Sequence, residues 1–144
     1  MINYFEVEPV LVAHLTDNVE GLLAVDTPFD IDDMLDNSNT TPSVSVIYYG
    51  DRMGEISAKG ALNVQYQQWL IVLKLTDPMA QGGNTNSLRE LANPFILQIL
   101  KCMQGFDPKL AKFKHFKRVD CPVNVGSSSG FGYFPFLFEI QMFV

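Results

Sequence analysis

Tyr133-Phe134-Pro135-Phe136-Leu137-Phe138-Glu139-Ile140-Gln141-Met142-Phe143-Val144 is the stretch that decides the fold. Phe134, Phe136, Phe138, Ile140, Met142 and Val144 take every second position, and all six are apolar. Strand side chains alternate between faces, so this spacing builds one continuous hydrophobic stripe for a core. The alternate set, Tyr133, Pro135, Leu137, Glu139, Gln141 and Phe143, is only partly polar. That second face reads as half covered, with Leu137 and Phe143 available to a neighbouring subunit. On this reading Phe136→Asp unfolds the protein, whereas Leu137→Asp leaves a folded subunit that assembles poorly.

Working back from that strand, Gly126 to Gly132 reads as a polar, glycine-rich turn and Phe113 to Val119 as another strand. Ser87 and Glu90 have the spacing of a capping box, opening a helix that carries Leu88, Leu91, Phe95, Ile99 and Met103. Pro94 should kink this helix, and Gly105 followed by Asp107-Pro108 should end it. Met79 to Asn86 reads as a flexible connection. A long strand is expected from about Leu62 to Thr76. Its alternation changes phase near Gln67 and Gln68, where a bulge would keep Val64, Tyr66, Trp69 and Ile71 on one core. Val44 to Tyr49 is its partner, and Gly50 to Ala61 reads as an extended hairpin tip. Asp51, Arg52, Glu55 and Lys59 of that tip are candidate contacts to a neighbour. Near the start, Val7, Leu11, Leu15 and Val19 recur at four-residue spacing, the mark of an amphipathic helix with Pro9 tolerated in its first turn. A short extended piece at Leu22 to Val25 and an acidic helical turn at Phe29 to Asp36 follow, then a loop from Asn37 to Pro42. The expected fold is α+β: a mixed, mainly antiparallel sheet of about four to five strands with two main helices packed on one face.

The length of 144 residues fits one domain, 1–144, large enough to fold without a metal or disulfide. Only 18% of residues are charged, against eleven Phe, five Tyr and one Trp, so some surface is expected to be covered by a partner. The net charge of −6 disfavours sequence-specific nucleic-acid binding. That charge is unevenly spread. Asp26, Asp30, Asp32, Asp33 and Asp36 crowd one segment, while Lys109, Lys112, Lys114, Lys117 and Arg118 supply half of the ten basic residues in another. Such polarity could orient copies head to tail, although a solvated face is the commoner meaning. No apolar run reaches the ~18 residues of a membrane span, and no signal peptide is visible, so a soluble cytoplasmic product is expected.

Catalytic constellations are poorly supported. His14 and His115 lack ligand-spaced neighbours, and with Cys102 and Cys121 they match no zinc pattern, so no metal or other cofactor is expected. Cys121 and His115 would need contact, an orienting group and an oxyanion hole to act as a nucleophile pair. Gly126 to Gly132 has no lysine and precedes a strand, unlike a phosphate loop. The aspartates lack the ligand alternation of a calcium loop and read better as helix caps.

The order of elements resembles the tail terminator proteins of long-tailed bacteriophages, the minor tail protein U type. The likeness rests on the leading helix Val7–Leu15, on Pro42-Ser43-Val44-Ser45-Val46-Ile47-Tyr48 and on Gln68-Trp69-Leu70-Ile71-Val72. It rests also on the helix ending Leu100-Lys101-Cys102-Met103-Gln104-Gly105-Phe106-Asp107-Pro108. The resemblance implies a structural virion protein that is not an enzyme. It would form a ring, a homohexamer, on the head-proximal end of the tail tube, assembled in the host cytoplasm. The ring would stop tube polymerisation and meet a head-completion or neck protein. Asp30, Asp32 and Asp33 on one side, and Lys112, Lys114, Lys117 and Arg118 on the other, are then candidate ring contacts together with Leu137 and Phe143. The alternatives are another neck, head-completion or baseplate subunit of the same virion, or a small cytosolic ligand-binding domain.

Overall fold

A computed structural model describes residues 3–37, 40–54, 60, 64–76, 86–128 and 131–143. In chain order the elements are α1 (Val7–Asn18), β1 (Ala24–Asp26), α2 (Ile31–Asn37), β2 (Ser43–Met53), β3 (Val64–Leu75), α3 (Asn86–Met103), β4 (Phe113–Val119), β5 (Gly126–Ser128) and β6 (Phe131–Phe143). The fold is α+β, with the strands in one open sheet ordered β1-β2-β3-β6-β4 and β5 paired to β6. Only β1 and β2 run parallel; every other pairing is antiparallel. The connection from 77 to 85 lies outside the described residues, as does Val144 of the predicted stripe.

The predicted stripe on β6 does face a core. Phe134, Phe136, Phe138, Ile140 and Met142 join Trp69, Ile71 and Leu73 of β3 beneath Val7, Leu11 and Leu15 of α1 and Ala92, Ile99 and Met103 of α3. Side-chain bonds bind the two helices to each other. The His14 Nε2–H donates to the Cys102 carbonyl at 2.8 Å, and its ring stacks on Phe106 at 3.5 Å. Asn18 donates to His14 Nδ1, which fixes the proton on the other ring nitrogen. Gly105 takes the left-handed conformation expected after α3, with φ of 79°. Pro94 sits inside a continuous α3, and that helix starts one residue before Ser87. The predicted capping box is therefore not formed: the Ser87 hydroxyl has no partner among the described residues.

The second face of the sheet carries its own core. Ile47, Leu70, Val72 and Leu137 are buried beneath Met34 of α2, flanked by Ile31, Leu35 and Cys121. The acidic segment thus supplies a third helix, packed on the face opposite α1 and α3. This corrects the expectation for Leu137, which is 2% exposed and belongs to the protein's interior, not to a free surface. Partial polarity misled the pattern because Glu139 and Gln141 lie beyond the part of that face on which α2 packs.

Two bulges set which side chains share a face, and neither lies where the sequence placed one. β3 pairs with β6 in unbroken register from Val64 to Leu75. Its apparent change of phase arises because Gln65 and Gln67 are buried on the helical face while Val64 and Tyr66 face the other way. Gln67 donates to the Tyr4 carbonyl at 2.6 Å and accepts from the Trp69 indole at 3.1 Å, which offsets the cost of burying an amide. The register shift falls instead in β2, where Tyr48 opposes Trp69 and Gly50 opposes Gln68, leaving Tyr49 as the extra residue. Gly50 has φ of 117°, a backbone region that disfavours a side chain. A second shift in β4 lets Phe113 and Phe116, three residues apart, both point into the helical core. Because both faces of β6 are cores, Leu137→Asp should abolish folding as Phe136→Asp does, by burying an unpaired charge. Leu137→Ala should cost about 2–4 kcal/mol in urea denaturation. A cooperatively folded Leu137→Asp protein would contradict the second core.

Candidate functional site

The basic cluster of the sequence lies at one edge of the sheet, whereas the acidic one starts with Asp26 on the opposite edge strand and continues onto α2, over the second face. β4 is one edge strand, and it presents exposed Lys114, His115, Lys117 and Arg118, with Lys112 just before it. Charged side chains on an edge discourage indiscriminate strand pairing while leaving the edge able to meet a complementary surface. β1 is the other edge. Four inter-strand gaps of about 4.8 Å separate them by roughly 19 Å.

Beside β4, the part of the second face beyond the α2 core forms a polar groove of about 440 Å³ lined by Tyr66, Lys114, His115, Lys117, Glu139 and Gln141. Its centre is Glu139, 2% exposed, which accepts from Arg52 at 2.7 and 3.3 Å and from Gln68 at 3.4 Å and lies 3.4 Å from the Lys117 ammonium. The β2 bulge makes this possible: by shifting parity after Tyr48, it turns Arg52 onto the same face as Tyr66 and Glu139. The Arg52 guanidinium also lies 4.1 Å over the Tyr66 ring, with Lys117 at 5.6 Å from it. Burial pushes the Glu139 carboxyl upward, but the hydrogen bonds from Arg52, Gln68 and Lys117 outweigh it and hold the group below its usual range.

At the other edge, β1 covers β2 only at Ser43 to Ser45. Beyond it Phe5 and Glu8 at the start of α1, Tyr48 of β2, and Thr27, Pro28, Phe29, Asp30 and Asp33 enclose a groove of about 620 Å³. Its walls are aromatic. Phe5 meets Tyr48 edge to face at 5.1 Å, Tyr48 meets Trp69 at 5.4 Å, and the Tyr4 and Tyr48 hydroxyls are 2.7 Å apart. Phe29, 85% exposed, stands at its rim. Asp30 accepts from the Asp33 amide and Asp33 from the Phe29 amide, both at 2.8 Å, so these two acids cap α2. Asp32 is exposed on the first turn. Asp26 stays partly exposed while accepting from the Ser45 hydroxyl and pairing at 3.0 Å with Lys74, which is 1% exposed.

The structure therefore separates the predicted contacts into groups. Lys112, Lys114, Lys117 and Arg118 gather at one edge and Asp30, Asp32 and Asp33 near the other. Asp51 and Arg52 are not at a hairpin tip, because β2 and β3 stay paired as far as Met53 and Gln65. Glu55 and Lys59 lie outside the described residues. Phe143 is half-buried, with the Lys114 ammonium 5.4 Å from its ring. Sequence reading missed Glu139, Tyr66 and Lys74 as partners of these charges, and missed Glu8, Phe5 and Phe29 as the walls of a groove. Phe29, a phenylalanine directly preceding a capping aspartate, was the one available signal. Among the described residues no cluster of three or more His, Cys, Asp or Glu could hold a metal, and no helix is long and apolar enough to cross a membrane. Cys121 belongs to the second core and donates to the Val123 carbonyl, with its thiol pushed up by burial; Cys102 is pushed up to about 11 by burial. Both shifts run opposite to nucleophile activation.

Fold and edges together define a small α+β protein that carries two grooves of unlike chemistry. The chain belongs to the phage tail terminator protein family, whose model matches residues 1–144, and is thus a structural protein of a bacteriophage tail. No curated protein matches the chain.

The Glu139 cluster makes a pH prediction. Its folded value lies below the unfolded one, so its contribution to stability is present above the ordinary carboxylate range and is lost as pH falls through the lowered folded value. Glu139→Gln should lower stability at neutral pH by on the order of 2 kcal/mol. It should also flatten the acid side of a melting-temperature profile. An unchanged acid limb in the variant would remove this role.

Proposed function

We propose that the chain, acting as one unit from 1 to 144, forms a closed homohexameric ring on the head-proximal end of the tail tube. There it stops tube growth and presents a surface to the head-completion or neck protein. The observation that carries this reading is the placement of the acidic and basic surfaces toward opposite edges of one sheet. A subunit with two different, complementary patches assembles head to tail, and such a contact closes into a ring when its rotation divides the circle. If like patches shared an edge, the charge distribution would favour neither ring nor chain. Asp51, at the end of the sheet where β2 and β3 remain paired, is turned toward the tube or the next ring, and Glu55 and Lys59 are proposed as further contacts from the sequence alone. The tail tube protein and a neck protein are its partners, and assembly takes place in the host cytoplasm before the particle is complete.

The test is direct. Purified tail tube protein polymerising alone should give tubes of unlimited length. Added chain should yield tubes bearing an annulus at one end and no further growth from that end, visible by negative-stain microscopy. Annuli found between head and neck but never on tube ends would place the subunit elsewhere in the virion. Tubes that elongate unchanged and carry no annulus would refute the reading.

A further inference from the structure

We propose that the groove between α1 and the start of α2 is a lysine-binding groove, and that its occupant is the basic edge of a second copy, chiefly Lys112 and Lys114. The inference rests on the ring reading above and names the contact within it. The groove combines two features that match a lysine side chain. Phe5, Pro28, Phe29 and Tyr48 offer apolar and aromatic surface for the methylene stem, and Glu8, Asp30 and Asp33 place carboxylates around it for the ammonium. Phe29 is the most exposed large apolar side chain among the described residues and Phe5 is about half exposed, and both line this one groove. Its floor is held rigid by the Tyr4–Tyr48 hydrogen bond and the ring contacts that run inward to Trp69, so a guest side chain would meet a preformed surface.

The groove's carboxylates are not equivalent. Asp30 and Asp33 already cap α2, whereas the Glu8 carboxylate has no hydrogen-bond or ion-pair partner among the described residues. The cations at the far edge divide in the same way. Lys117 is drawn to Glu139, whereas Arg118 and Lys114 meet only ring faces, 5.2 Å over Phe136 and 5.4 Å from Phe143. Lys112 and Lys114 form no ion pair among the described residues. Among the described residues, then, a carboxylate and two ammonium groups without an ion-pair partner stand on opposite sides of the sheet, where a second copy can bring them together. Aromatic anchors surrounded by charge are the usual centre of a protein interface, and Phe29 and Phe5 would supply them here.

Zero-length carbodiimide coupling of the wild-type chain, assembled on tail tubes from a mixture of isotope-labelled and unlabelled copies, should join the Glu8 peptide to the Lys112–Lys114 peptide between copies. Glu8→Lys alone, and Lys112→Glu with Lys114→Glu, should each lower the fraction of capped tubes at least tenfold. An equimolar mixture of the two variants should recover it. In an alternating ring each changed groove meets a changed strand and each unchanged groove an unchanged strand, which closes only for an even number of subunits. Phe29→Ser, at a side chain with little to lose on the inside, should weaken capping while leaving the melting temperature unchanged. Variants that cap as well as wild type, or folded variants that fail to recover on mixing, would overturn the groove assignment while leaving ring formation by the wild type intact. Wild-type chain that forms no ring on tubes would overturn both.

Discussion

β6 is buried on both faces, and the rest of the molecule is arranged around that constraint. Its even-numbered residues lie under α1 and α3, while Leu137 on the other face lies with β3 under α2. A strand between two cores cannot slip by one residue without sending phenylalanines to the wrong side, so its register with β3 is tightly specified. Long, unbroken pairing from Val64 to Leu75 then fixes where every other strand must lie. With the centre committed to stability, recognition is left to the edges and to the part of the second face beyond the α2 core.

Charge is used differently in these two places. Within the sheet, Glu139 and Lys74 are buried but matched, the first by Arg52, Gln68 and Lys117, the second by Asp26. Removing one partner from such an arrangement leaves the other exposed to a low-dielectric surrounding, which is why these pairs tie strands together. At the rims, Glu8, Lys112 and Lys114 have no ion-pair partner among the described residues. The tail terminator family provides the setting in which unmatched edges make sense, since a tail protein works among neighbours.

Much of this was legible in the residues. The alternation from Phe134 to Met142 gave the helical core face, the four-residue spacing from Val7 to Val19 gave α1, and the segregation of aspartates from lysines anticipated two charged surfaces. What failed did so for identifiable reasons. Leu137 reads as a surface residue because Glu139 and Gln141 follow it, and periodicity cannot show that a helix containing Asp32, Asp33 and Met34 folds back over one part of the face. The change of apolar parity at Gln67 and Gln68 points to a bulge in β3, but the strand stays in register there because Gln67 is satisfied inside by Tyr4, Trp69 and Met142. The aromatic groove joins residues from three distant segments, around Phe5, Phe29 and Tyr48, so no local pattern could reveal it.

The central claim is that unlike charged edges draw copies together, and the salt dependence of self-association tests it most directly. Sedimentation velocity of the chain across a range of ionic strengths reports the association constant without tubes or variants. Screening shortens the Debye length from about 10 Å at 0.1 M salt to about 3 Å at 1 M, so contacts between exposed charges should weaken steadily as salt rises. The account predicts oligomers at low salt that dissociate toward monomer at high salt. Association that holds constant or strengthens with salt would mean that apolar surface, not the two edges, drives assembly, and would contradict it.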